Sequence, residues 1–210
     1  MKVASFDVDA QKGFTPLCPD ELPVPDGDKI VTALNEMATR ADIRVASKDA
    51  HCSQAVWIVD KTSDMLQPLS YVNADKTWLA HCIIGSRGFE LLDGLPKPEQ
   101  YDFFVWKGIE PEMHPYGACY HDLQENLSTG VIEYLQRNEV EQVMVGGLAL
   151  DYCVKTTAVQ LAKAGFQVLV LLEATKAISK DTAEQAILQM KQLNIVVCDN
   201  FAILDKELNR

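Results

Sequence analysis

The 210-residue chain is predicted to be an α/β protein, with a central, mostly parallel sheet of about six strands covered by helices on both faces. Two observations carry that prediction. Short β-rich runs alternate with longer segments whose apolar residues recur at three- and four-residue spacing, the pattern of strands joined by crossover helices. No shift of composition divides the chain, and 48% hydrophobic residues are enough to bury one real core, so residues 1–210 read as a single domain.

In chain order, the strands are predicted at Val3–Val8, Ile43–Ser47, Tyr101–Val105, Gln142–Gly146, Gln167–Leu172 and Ile195–Val197. Helices are predicted at Lys29–Ala38, Thr129–Arg137, Cys153–Ala164 and Asp181–Gln192, with Gly165 closing the third. The proline-rich stretch Pro16–Pro25 and the longer Val59–Trp78 read as loops, and a loop of the second length inside a compact domain is usually functional. No internal repeat or low-complexity segment is present. In open α/β sheets ligands bind outside the carboxyl ends of the strands, which is where the polar motifs of this chain fall.

A formal net charge of −11 opposes binding to nucleic acid or an anionic membrane, both of which attract basic surfaces. Small molecules and other proteins remain as partners. The longest apolar runs, such as Val168 to Leu172, fall far short of the roughly 20 residues a membrane helix requires. Six cysteines without a CxxC pair, behind an amino terminus that lacks a cationic start and apolar signal core, point to a reducing cytoplasm.

Six positions are candidates to carry chemistry. Asp9 ends the first strand, where a carboxylate faces the crevice; it is equally explained as a turn residue bonding its own backbone. Asp7, within the strand, is its weaker rival. Asp49 and His51 form a D-x-H pair after the second strand, and a carboxylate with an imidazole suits zinc, iron or manganese. His81, 30 residues further on, is the natural third ligand, although spacing alone does not bring it there. His114 and His121 read as structural or exposed. Lys107 follows an apolar run, between Trp106 and Gly108; most lysines so placed snorkel to solvent, and an acidic neighbour in a low-dielectric site would set this one apart. Cys153 lies in a strand–turn–helix passage, in the helix's first turn, where backbone N–H groups and the helix dipole lower a thiol pKa and can hold an oxyanion. A buried, inert thiol is the alternative.

Taken in order, VDAQKGF, KDAH, WLAHCIIGSRGFEL, VWKG, YGACY and GGLALDYCVKTTA resemble the motif set of nicotinamidases within the isochorismatase-like cysteine hydrolases. The resemblance spans almost the whole chain and implies their three-layer, Rossmann-like fold. It implies that Asp9, Lys107 and Cys153 are catalytic and that Asp49, His51 and His81 hold a divalent metal ion: zinc, iron or manganese. Phe14, Trp78 and, less directly, Tyr116 match ring-contacting aromatics, and Ala149 matches a position that follows a non-proline cis peptide. The implied reaction is deamidation of nicotinamide through a thioester, in NAD salvage, with homo-oligomers common in the family.

Two departures stand out. Trp57 occupies a position near which many nicotinamidases carry a further metal-binding histidine, which implies a smaller ligand shell completed by water. Leu150 replaces a threonine often found before the D-x-C motif. They keep two alternatives open: hydrolysis of another small amide or carbamoyl compound, and a metal-binding protein without turnover. Hydrolysis of isochorismate itself is disfavoured, because that vinyl-ether chemistry has no use for a nucleophilic cysteine.

Overall fold

A computed structural model describes residues 1–208. Its central sheet holds six strands: β1 (Lys2–Val8), β2 (Ile43–Asp49), β3 (Phe103–Lys107), β4 (Val140–Leu148), β5 (Gln167–Lys176) and β6 (Val196–Cys198). The strands run in the order β6-β5-β4-β1-β2-β3, and every neighbouring pair is parallel. Sequence order reverses at β1, which is flanked by β2 and β4, so a crevice opens at the carboxyl ends of those central strands.

Alternate residues of a strand face opposite sides of the sheet, and the two cores follow from that rule. Phe6, Val143, Val145, Val168 and Val170 pack on one side with Leu135, Leu161 and Met190. These three come from α2 (Val131–Arg137), α3 (Lys155–Lys163) and α4 (Lys180–Gln192). Met144, Leu148, Leu169 and Leu171 turn to the other side and meet Leu34, Met37 and Leu204, which belong to α1 (Val31–Ala38) and α5 (Phe201–Leu208). The predicted sandwich of helices around a parallel sheet is therefore present.

The differences from expectation are local. β2, β3 and β4 extend beyond their predicted carboxyl ends, so that Asp49 and Lys107 are the last residues of β2 and β3 rather than residues beyond them. The final helix, α5, was absent from the expected elements. Inside the stretch expected to be a loop, Pro68–Tyr71 and Ala74–Lys76 form a small antiparallel pair, and Trp78–Leu79 pairs with Ile58–Val59. This excursion builds a satellite core of Ala55, Trp57, Ala74 and Trp78 beside the crevice. All six cysteines are unpaired thiols. Among the described residues, no helix is long and apolar enough to cross a membrane.

Candidate active site

Four neighbouring strands, β4, β1, β2 and β3, deliver polar side chains to one point. Asp9 directly follows β1 in the left-handed region, with φ of 46°, and its amide donates to the Ser47 carbonyl of β2 at 3.1 Å. Gln11 clamps the end of β2, donating to the Asp49 carbonyl at 2.8 Å and accepting from the Asp49 amide at 2.7 Å. Lys107 arrives from β3 and Cys153 from the turn after β4. That turn begins at the cis Leu148–Ala149 peptide, as the resemblance implied, and continues as a π-helical turn over Leu150–Val154 that leads into α3.

Lys107 is completely buried. Its Nζ lies 3.0 Å from Asp9 Oδ2, pairs closely with Asp49 Oδ1, donates to the Pro115 carbonyl at 3.2 Å and stands 3.9 Å from Cys153 Sγ. Carboxylate oxygens of Asp9 and Asp49 and the Cys153 sulfur all lie within 4.8 Å of one another. The solvated-lysine explanation is thus excluded for Lys107: burial disfavours its charge, but two carboxylates outweigh burial and hold the ammonium well above its ordinary range.

The same cluster divides its acids. Burial raises the Asp9 pKa and Lys107 only partly offsets it, leaving the carboxyl at about 6. Asp49 is equally buried, yet Lys107 and the adjoining His51 overcome the desolvation and hold it below the usual carboxylate range. Asp9 Oδ1 accepts from Ser47 Oγ at 2.7 Å, while Asp9 Oδ2 faces the Lys107 ammonium at 3.0 Å. Asp7 is elsewhere engaged, with Arg44 at 2.6 Å and the Tyr101 hydroxyl at 3.0 Å.

Cys153 does sit in the first turn of the helical segment, but the expected lowering of its pKa is reversed. Burial raises it well above the ordinary thiol value; Lys107 opposes that rise, and the charges of Asp9 and Asp49 add to it. Desolvation and the two neighbouring carboxylates together outweigh the helix dipole. Burial thus favours the protonated thiol in the resting side chain.

Beside this cluster lies a buried imidazole group. His51 Nδ1 is 3.0 Å from the Gly108 carbonyl and His81 Nδ1 is 2.7 Å from the Leu79 carbonyl. Donation to those carbonyls leaves each Nε2 with a free lone pair. Gly108 is required here: its φ is +75°, and a Cβ would come within 2.5 Å of His51 Cε1. His114 is buried, not exposed, and the nitrogens of His51, His81 and His114 lie within 4.8 Å of one another. Burial pushes His81 down to about 3, so it stays neutral, as a metal ligand must. Trp57 packs on all three rings at centroid distances of 4.7, 5.1 and 4.4 Å and donates Nε1 to the Met113 carbonyl at 3.2 Å. His51 Nε2, completely buried, has no hydrogen-bond partner. An orphaned nitrogen among buried imidazoles, next to a carboxylate, fits a divalent cation.

A cleft opens over both clusters, lined by Phe14, Trp78, Tyr116, Ala149 and Cys153 together with Asp49, His81 and His114. Leu22, Tyr152 and Ile178 also line it and were missed by sequence reasoning. Tyr152 carried the clearest signal, as the neighbour of Cys153 in a turn that presents its side chains to the crevice. The Tyr116 hydroxyl donates to Asp75 at 2.8 Å and accepts from Trp78 Nε1 at 3.3 Å, fixing two of the aromatic walls.

A parallel α/β sheet with a buried cysteine, lysine and aspartate at its central carboxyl edge defines the isochorismatase-like class. The isochorismatase domain pattern matches residues 4–200, and the chain belongs to that family. It is 29% identical over 182 residues to the nicotinamidase of Acinetobacter baylyi, covering 85% of this chain and 83% of that protein. Among solved structures it resembles the yeast nicotinamidase bound to the inhibitor nicotinaldehyde, with TM-score 0.83 and 25% identity, covering 94% of this chain and 100% of the other. It also resembles the pyrazinamidase of Pyrococcus horikoshii in complex with zinc, with TM-score 0.75 and 29% identity, covering 94% and 98%.

Proposed function

We propose that this chain is a metal-dependent cysteine amidohydrolase that converts nicotinamide to nicotinate and ammonia. The observation that carries the proposal is the opening of one aromatic cleft onto Cys153, which adjoins Asp9 and Lys107, and onto His81 and His114 of the imidazole group. Its relatives being nicotinamidases selects the pyridine carboxamide among small amides.

Asp9, whose Oδ2 faces Lys107 Nζ at 3.0 Å, takes the proton of the Cys153 thiol as sulfur attacks the carboxamide carbon. The backbone amides of Ala149 and Cys153 receive the oxyanion, and Lys107 keeps the pair of carboxylates compatible with a transient thiolate. Collapse of the tetrahedral adduct breaks the C–N bond, Asp9 returns its proton to the departing nitrogen, and ammonia leaves a thioester on Cys153. Asp9 then takes a proton from water, whose oxygen attacks the thioester; the acid departs and sulfur recovers the proton. Phe14, Trp78 and Tyr116 wall the ring. A divalent ion held by Asp49, His51 and His81, with zinc favoured by the pyrazinamidase relative, supplies Lewis acidity that orients and polarises a pyridine nitrogen.

Two outcomes are expected. Because Asp9 must be ionised to take the thiol proton and its pKa is raised to about 6 by burial, kcat/KM should fall as pH drops through 6, approaching about tenfold per pH unit below it. A pH–rate profile flat down to pH 4.5 would remove Asp9 as the base. Steady-state assays should also favour nicotinamide over benzamide by about a hundredfold or more, since benzamide lacks the ring nitrogen. Equal rates, or a preference for an N-carbamoyl compound, would reassign the substrate while leaving the cysteine chemistry in place.

A further inference from the structure

We infer that His114 is a ligand of the bound metal ion, supplying from the loop after β3 the imidazole that Trp57 does not supply. The inference rests on the metal site proposed above and adds a residue to it. His114 Nε2 faces His81 Nε2 at 3.5 Å, and Asp49 Oδ2 lies 3.4 Å from His51 Nε2. Two ligands each about 2.1 Å from one zinc ion, at an angle of about 110°, stand about 3.4 Å apart, so both separations match ligand edges around a shared ion that can expand to five-coordination for a substrate atom. The three histidine nitrogens cluster within 4.8 Å, and the buried His51 Nε2 has no hydrogen-bond partner, which leaves it available to a cation shared by the three rings.

Packing supports the assignment. The His114 ring stacks on Trp78 at 5.8 Å and 24° and on His51 at 5.3 Å and 22°. The His114 amide donates to the Asn73 carbonyl at 2.7 Å, tying the ligand-bearing segment to the small antiparallel pair. Trp57 thus acts as a wall for three imidazoles, and the ligand expected near its own position comes from another loop. One difference separates His114 from its neighbours: His51 and His81 each have a backbone carbonyl at Nδ1, whereas His114 Nδ1 is buried without a partner. Orienting acceptors strengthen a metal-bound imidazole, so His114 is the weakest of the three.

X-ray absorption on the zinc-loaded wild-type protein should count three imidazoles around one ion. In chelator competition, His114→Gln should weaken zinc binding at least about tenfold, and His81→Ala should weaken it further. With cobalt in place of zinc, the visible absorption spectrum of His114→Gln should differ in position and intensity from that of wild type. Two imidazoles in wild type, or a His114→Gln protein with unchanged affinity and cobalt spectrum, would overturn the inference while the Asp49–His51–His81 site stands, provided His81→Ala abolishes stoichiometric binding. A wild-type protein that takes up no ion would overturn both.

Discussion

Cys153→Ala is expected to lose turnover by about a thousandfold or more while binding metal as wild type does. The sulfur is the atom that bonds to the substrate carbon, and alanine offers no substitute. The other cleft features do not depend on it: the three imidazoles are oriented by Gly108, Leu79 and Trp57. Replacing a small, buried thiol by a methyl group leaves little void, so the fold should persist. The diagnostic pattern is therefore a variant of normal metal content that accumulates no covalent adduct in intact-mass spectra during turnover of nicotinamide. Appreciable turnover by this variant would end the thioester mechanism, and loss of metal would mean that the two clusters are not separable.

Lys107→Met is expected to damage both stability and catalysis. The ammonium is the shared counter-ion of two fully buried carboxylates, at 3.0 Å from Asp9 and in a closer pair with Asp49. Removing one partner of a buried ionic group costs about 3–5 kcal/mol, which for a chain of this size lowers Tm by roughly 6–20 °C. The sign of the pH dependence follows from Asp49, whose folded pKa is held low with Lys107 the largest charge acting on it. Its stabilising contribution is present above the unfolded carboxylate value of 3.8 and is lost as pH falls through the lower, folded one. Without Lys107 both carboxyls protonate readily, so the variant's deficit should be largest near pH 7 and shrink toward pH 4. Thermal melts across that range check it; a deficit independent of pH would mean that lost packing, rather than uncompensated charge, causes the damage.

The sheet and most of its helices were legible because their residues obey two periodicities. Val168 and Val170 alternate with Leu169 and Leu171, and the two sets fill opposite cores. Asp9, Asp49, Lys107 and Cys153 were legible as candidates because each stands at or just beyond a strand's carboxyl end, where open α/β sheets place ligands. The loops obey no period. His81 was legible as the natural third ligand, but spacing alone could not bring it to Asp49 and His51. His114, in the aperiodic segment MHPYG, was read as structural or exposed, and only the fold shows that it is buried against His51 and His81. The Cys153 pKa was misjudged for a different reason: helix position can be read from sequence, whereas complete burial between Asp9 and Asp49 is a tertiary fact. α5 escaped because eight residues near the chain end give barely two turns of periodicity, with Phe201, Leu204 and Leu208 as its apolar positions.

Ammonia release from nicotinamide by the purified protein, assayed beside a chelator-treated sample and the Cys153→Ala variant, tests the central claim most directly. The account predicts ammonia in stoichiometric step with nicotinate, loss of release in both controls, and recovery of the chelated sample when a divalent ion is restored. Full activity in either control, or no release by the metal-loaded wild-type protein, would contradict it.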